Sequence, residues 1–110
     1  MDTTIEILIL NLKSGTRDKF HQVYVAQSLP LLRKWKINVI AHGPSTHDEN
    51  TYFVIRSFKS LGDRQTSEDA FYGSDDWKTG TRTAILSFIE SSATLVVPIK
   101  AIKSWAEIMK

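Results

Sequence analysis

Four short stretches of this chain are apolar on alternate or successive positions, and two longer ones carry apolar residues three and four apart. Thr4–Leu12 (TIEILILNL) reads as a strand, with Ile5, Ile7 and Ile9 on one face and Glu6, Leu8 and Leu10 on the other. A strand apolar on both faces is covered on both. Ser14-Gly15-Thr16 marks a turn with Thr16 as N-cap. Over residues 17–35, Phe20, Val23, Tyr24, Gln27 and Leu31 form the stripe of a helix, in which Pro30 predicts a kink. Residues 37–41 (INVIA) and Thr51–Phe58 (TYFVIRSF) read as a hairpin joined by a polar loop. In the second of these strands Tyr52, Val54, Arg56 and Phe58 share a face.

Ser60 and Asp63 have the spacing of a capping box and open a second helix, which Gly73 ends. Ser74 caps a further helical segment to about residue 90, where Trp77, Thr81, Ala84, Ile85 and Phe88 form the stripe and Gly80 predicts a bend. Residues 93–99 (ATLVVPI) read as the last strand, with Pro98 at its edge or end. In the tail, Ile102, Trp105, Ala106 and Met109 fit a short amphipathic helix.

The element order is βαββαβ, the ferredoxin-like arrangement: an α+β fold whose four-stranded antiparallel sheet carries helices on one face. The chain of 110 residues suits one domain, with a core over about 4–99 and a helical tail over about 100–110. The other sheet face is expected to be apolar, and monomers rarely expose such patches. Closing two sheets against each other into a shared α+β barrel is the economical solution, so a homodimer is expected.

Composition removes several classes of function. No cysteine is present, so disulfides and thiolate chemistry are excluded. The charge of +2 is spread along the chain rather than gathered on one face, which argues against a nucleic-acid binder. No apolar run approaches the roughly 20 residues of a membrane helix. The start Met1-Asp2-Thr3-Thr4 lacks the basic and apolar regions of a signal peptide, and a cytoplasmic location is expected.

Two stretches then bring a family into view. Leu29-Pro30-Leu31-Leu32-Arg33 stands ahead of the second strand. Ser60-Leu61-Gly62-Asp63-Arg64 opens the second helix and is followed by Phe71-Tyr72 and Asp75-Asp76-Trp77. With Glu6 on the first strand and Leu12-Lys13-x-Gly15 after it, their order and spacing resemble the NIPSNAP-type proteins, a family of dimeric α+β barrels. The resemblance implies that fold and a homodimer, and leaves the activity undefined. The chain departs from the family at Leu8 and Leu10, where Arg and Tyr are usual, and at Arg56, where Trp is frequent.

Neither nucleotide-binding loops nor the motifs of hydrolases and zinc peptidases occur. A function therefore rests on a pocket between helices and sheet, with Asn11, His42, Arg56, Tyr72, Trp77 and Arg82 as its candidate ligand-binding residues. For Asn11 the plainer role is a strand end, for Trp77 core packing, and for Arg56 an ion pair with Glu6, since a buried arginine needs an anionic partner. His42, His47, Asp48 and Glu49 share a loop, which reads as solvated rather than as a metal site. No cofactor is expected. Fold relatives include haem-degrading monooxygenases, but the place of their axial His is Thr81 here, and no His follows His47. The leading reading is a protein that binds a small hydrophobic or anionic molecule. Its rivals are a cofactor-free monooxygenase of the antibiotic-biosynthesis type, with Tyr72 or His42 handling protons, and a non-catalytic structural or protein-interaction module.

Overall fold

The structure, a computed structural model, describes residues 3–102. Strands β1 (Thr4–Leu12), β2 (Asn38–Pro44), β3 (Thr51–Phe58) and β4 (Ile89–Pro98) form one antiparallel sheet in the order β2-β3-β1-β4. That order is the ferredoxin-like topology expected from the alternation of elements. β1 and β3 match their sequence boundaries residue for residue, because both sit in the middle of the sheet and carry the clearest alternation. β2 extends past residue 41 to Pro44, beyond a bulge between Val39 and Ala41. β4 starts at Ile89, four residues before the expected position. It is an edge strand with most side chains exposed, so burial imposes no pattern on Glu90, Ser91 and Ser92.

The stretch read as one kinked helix is three elements: α1 (Arg17–Val23), a π-helical turn (Tyr24–Ser28) and α2 (Leu29–Lys34). Pro30 lies in the first turn of α2, where its missing N–H is no loss. The π turn ahead of it carries more residues per turn than an α-helix. Positions four apart therefore stay in line, and the buried stripe is Phe20, Tyr24, Ser28 and Leu32, with Gln27 turned outward. Thr16 precedes α1, but its hydroxyl donates to the Lys13 carbonyl at 2.7 Å and does not cap the helix. Lys36 closes α2 in the left-handed region (φ 59°), and the Ile37 N–H reaches back to the Leu32 carbonyl at 2.9 Å.

Ser60 caps α3 (Leu61–Tyr72), its Oγ accepting from the Asp63 N–H at 3.0 Å, while the Asp63 carboxylate accepts from the Lys59 N–H at 3.0 Å rather than closing the box on Ser60. Gly80 lies in a second π turn (Asp76–Thr81), and α4 (Arg82–Phe88) completes the layer. The Trp35 indole and the Lys34 ammonium both donate to Asp76 Oδ2, at 3.0 and 2.7 Å, and tie α2 to this turn. Residues 99–102 are helical; the rest of the expected tail helix, with Trp105, lies outside the described residues.

Cross-strand register separates the sheet faces. Glu6, Leu8 and Leu10 stand opposite Arg56, Val54 and Tyr52 and face the helices. Ile7 and Ile9 stand opposite Ile55 and Phe53 on the other face, beside Leu95 and Ala93 of β4. No described helix covers that second face at Ile9 and Leu95, which are 41% and 49% exposed.

A lysine in the left-handed conformation costs roughly 1–2 kcal/mol, part of which glycine returns as entropy of the unfolded chain. Lys36→Gly is therefore expected to raise stability by about 0.5–1 kcal/mol in urea denaturation.

Candidate functional site

Arginine at position 56 of a central strand is the most costly residue in the core, and its surroundings define the site. β3 buries it to 3% exposure on the helix-facing side, directly across from Glu6 on β1, which is fully buried. Arg56 Nε donates to Glu6 Oε1 at 2.7 Å, and Nη2 lies 2.5 Å from the same oxygen. Helix α3 supplies the rest of the network. Its residues Arg64, Glu68 and Tyr72 follow at four-residue spacing and so face the sheet together. Arg64 Nε donates to Glu6 Oε2 at 2.6 Å. Arg56 Nη2 reaches Glu68 Oε2 at 3.3 Å, and Arg56 Nη1 donates to Tyr72 Oη at 2.9 Å. Two guanidiniums thus meet two carboxyls and a phenol.

The two carboxyls differ in environment. Burial pushes the Glu6 carboxyl up, but its hydrogen bonding to Glu68 and the Arg56 and Arg64 guanidiniums outweigh this and hold it below the usual carboxylate range. Glu68 has longer contacts to both arginines, and burial together with hydrogen bonding to Glu6 pushes it up to about 7. Burial alone opposes the Arg56 charge, yet Tyr72 and Glu6 secure it.

This network forms one wall of a cavity of about 280 Å³ between sheet and helices. That is just under the roughly 300–1,000 Å³ of ordinary ligand pockets. The remaining walls are mainly apolar: Leu8, Leu10 and Val54 from the sheet, Phe20 and Leu32 from the first helical layer, Phe71, Trp77 and Ile85 from the second. Ser28 lines it as well. Its Oγ is buried and has no hydrogen-bond partner among the described residues. Buried polar atoms are rarely left so. Thr81 Oγ1, at the end of the second π turn, is in the same condition.

Scanned against family sequence models and curated proteins, the chain matches none. Solved structures do match. A NIPSNAP family protein from Agrobacterium tumefaciens superposes with a TM-score of 0.80 at 18% identity, over 88% of this chain and 87% of that one. A NIPSNAP-like domain protein from Burkholderia xenovorans gives 0.80 at 14% identity, over 87% and 84%. The chain has the NIPSNAP fold. A Nitrosomonas europaea protein assigned to the antibiotic biosynthesis monooxygenases has a TM-score of 0.62 at 13% identity, over 86% of this chain and 95% of that one, and shares the broader architecture.

Within this NIPSNAP fold the six residues expected at the pocket do not stay together. Arg56, Tyr72 and Trp77 line the cavity. Asn11 belongs to the opposite sheet face, because it is odd-numbered on β1 like Ile9. There it is exposed, and its amide donates to Ser91 Oγ at 3.0 Å. Arg82 is exposed at the start of α4 and lines no part of the cavity. His42 packs elsewhere: the buried Tyr52 hydroxyl lies 2.9 Å from His42 Nδ1 and 2.8 Å from His21 Nδ1, joining β2, β3 and α1. Burial, then the neighbouring His21, lowers the His42 imidazole below its ordinary value. Sequence reasoning missed Arg64, Glu68 and Ser28. The four-residue spacing of Arg64, Glu68 and Tyr72 on a helix of low overall hydrophobicity was the available signal for the first two. Ser28 carried none, since only the π turn aligns it with Tyr24 and Leu32.

Two outcomes follow from these charges. Removing one partner of a buried pair strands the other, so Arg56→Met is expected to cost about 3–5 kcal/mol in denaturant unfolding. Glu68 binds its proton more tightly when folded than the ordinary 4.5. Its contribution to stability is thus full below pH 4.5 and lost as pH rises through about 7. Subtracting the stability–pH curve of Glu68→Gln from that of the wild type should expose this decline; a flat difference would contradict it.

Proposed function

We propose that the chain binds a small, predominantly apolar molecule in the cavity beneath its helices, with the polar end of the ligand at the Arg64–Glu68–Tyr72 edge. One observation carries the reading: an apolar cavity bounded by a charged network and by a buried serine hydroxyl without a partner. Ordinary core packing leaves neither a void of this size nor an orphan hydroxyl beside it. The likeness to NIPSNAP structures, whose functions are uncharacterised, supports the fold that frames this cavity.

Arg56 is not the ligand clamp in this reading. Each of its three nitrogens already has a partner among Glu6, Glu68 and Tyr72, and its role is to hold β1, β3 and α3 around the cavity. The open sheet face has a separate role. Ile7, Ile9, Ile55 and Leu95 form an apolar surface, and pairing with the same face of a second copy covers it. Two sheets so paired form the barrel expected from the sequence.

α-Naphthamide, a neutral two-ring probe, is expected to bind with a heat signal in isothermal titration calorimetry and to raise the melting temperature. Leu86→Trp enlarges an exposed residue on the cavity rim and should abolish that binding without unfolding the chain. Binding that survives this plug would place the probe elsewhere. Ile9→Glu should convert a dimer into a monomer in analytical ultracentrifugation and leave the probe's affinity unchanged. A wild-type monomer would remove the barrel and leave the cavity.

A further inference from the structure

Arg64 lines the cavity, yet its hydrogen bond runs from Nε, at 2.6 Å to Glu6, and the same atom makes the ion-pair contact to Glu68 at 3.4 Å. Its two Nη groups have no hydrogen bond among the described residues, and a guanidinium edge of this kind matches the two oxygens of a carboxylate. Tyr72 Oη accepts from Arg56, which leaves its own O–H to donate. Beside the apolar walls, these are donors for an anionic head group.

Charge sets a condition on that anion. Arg56 and Arg64 are balanced by Glu6 and Glu68, so a ligand carboxylate would add an uncompensated negative charge to a site only partly open to water. The balance returns if one carboxyl takes a proton. Glu6 is the wrong one: it is fully buried and receives close contacts from both arginines. Glu68 meets the two arginines only at 3.3 and 3.4 Å, and its side chain keeps 17% of its exposure, so solvent can deliver the proton. Tyr24, the remaining titratable group on this wall, is buried and stays neutral, because burial raises it.

We propose that the cavity selects an apolar carboxylate, and that Glu68, where it is ionised in the free protein, takes up one proton from solvent when such a ligand binds. The bound site then holds two guanidiniums, the Glu6 and ligand carboxylates and a neutral Glu68, with no net charge. The inference rests on the cavity being a ligand site, and it deepens that reading by naming the class of head group.

Calorimetry of α-naphthoate in two buffers of different ionisation enthalpy counts the protons. With the Glu68 proton leaving at about 7, close to one proton per ligand is expected above that pH and none well below it. Affinity should fall about tenfold per pH unit on the alkaline side. Glu68→Gln imitates the protonated side chain. It should bind α-naphthoate with no proton uptake and with an affinity that no longer depends on pH. Proton uptake that persists in Glu68→Gln would overturn the assignment, as would wild-type affinity that is flat across the range. If α-naphthamide binds and α-naphthoate shows no uptake, this inference alone fails. If neither binds, the cavity reading fails with it.

Discussion

The Glu6–Arg56 pair is the constraint around which the helix-facing side of this domain is organised. Both residues sit in the two central strands, directly opposite each other, where neighbouring positions are Leu8, Leu10, Tyr52 and Val54. A purely apolar pair there would pack without cost. A charged pair must instead be surrounded by hydrogen-bond partners, and burying two charges is repaid only when geometry satisfies them. Helix α3 meets that demand with Arg64, Glu68 and Tyr72 on one face. The helix has few apolar residues to bury, so its seat on the sheet is determined largely by this network and by Phe71. The cavity lies between this helix, its neighbours and the sheet.

The π turns belong to the same account. Each ends in a buried hydroxyl without a partner, Ser28 in the first and Thr81 in the second. π-helical turns are rare and gather at functional sites. Here the first one rotates Ser28 inward, in line with Phe20, Tyr24 and Leu32, so that a polar atom reaches an otherwise apolar wall. The second carries Trp77 into the cavity and is tied to α2 through Asp76. The two helical layers are thus connected at the edge of the space they enclose.

Much of this architecture was legible in the chain before its coordinates. Strong alternation in central strands gave β1 and β3 to the residue, and the Ser60–Asp63 spacing placed the start of α3. The ion pair of Glu6 with Arg56 followed from the need of a buried arginine for an anion. Legibility ended where burial imposes no pattern. β4 is exposed on the sheet edge, so Ile89 and Glu90 read as the end of a helix and Ser91 and Ser92 as a connection. Asn11 was counted among the pocket residues, although strand parity alone puts it on the face of Ile7 and Ile9. The π turns were invisible because the same residues fit an α-helix equally well; only the inward position of Ser28 reveals the extra residue. For Arg64 and Glu68 the available signal was their four-residue spacing with Tyr72, which gains its meaning from the charged pair on the sheet beneath them.

The central claim is that the space bounded by Arg64, Glu68, Tyr72, Trp77 and Ser28 is a ligand site and not a packing defect. Backbone and indole chemical-shift mapping by NMR during titration with α-naphthoate tests this most directly. The account predicts that the largest shifts fall on the Ser28 amide, the Trp77 indole and the amides around Glu68 and Tyr72, while Ile7, Ile9 and Leu95 are unmoved. Shifts confined to the open sheet face, or none that saturate, would contradict it.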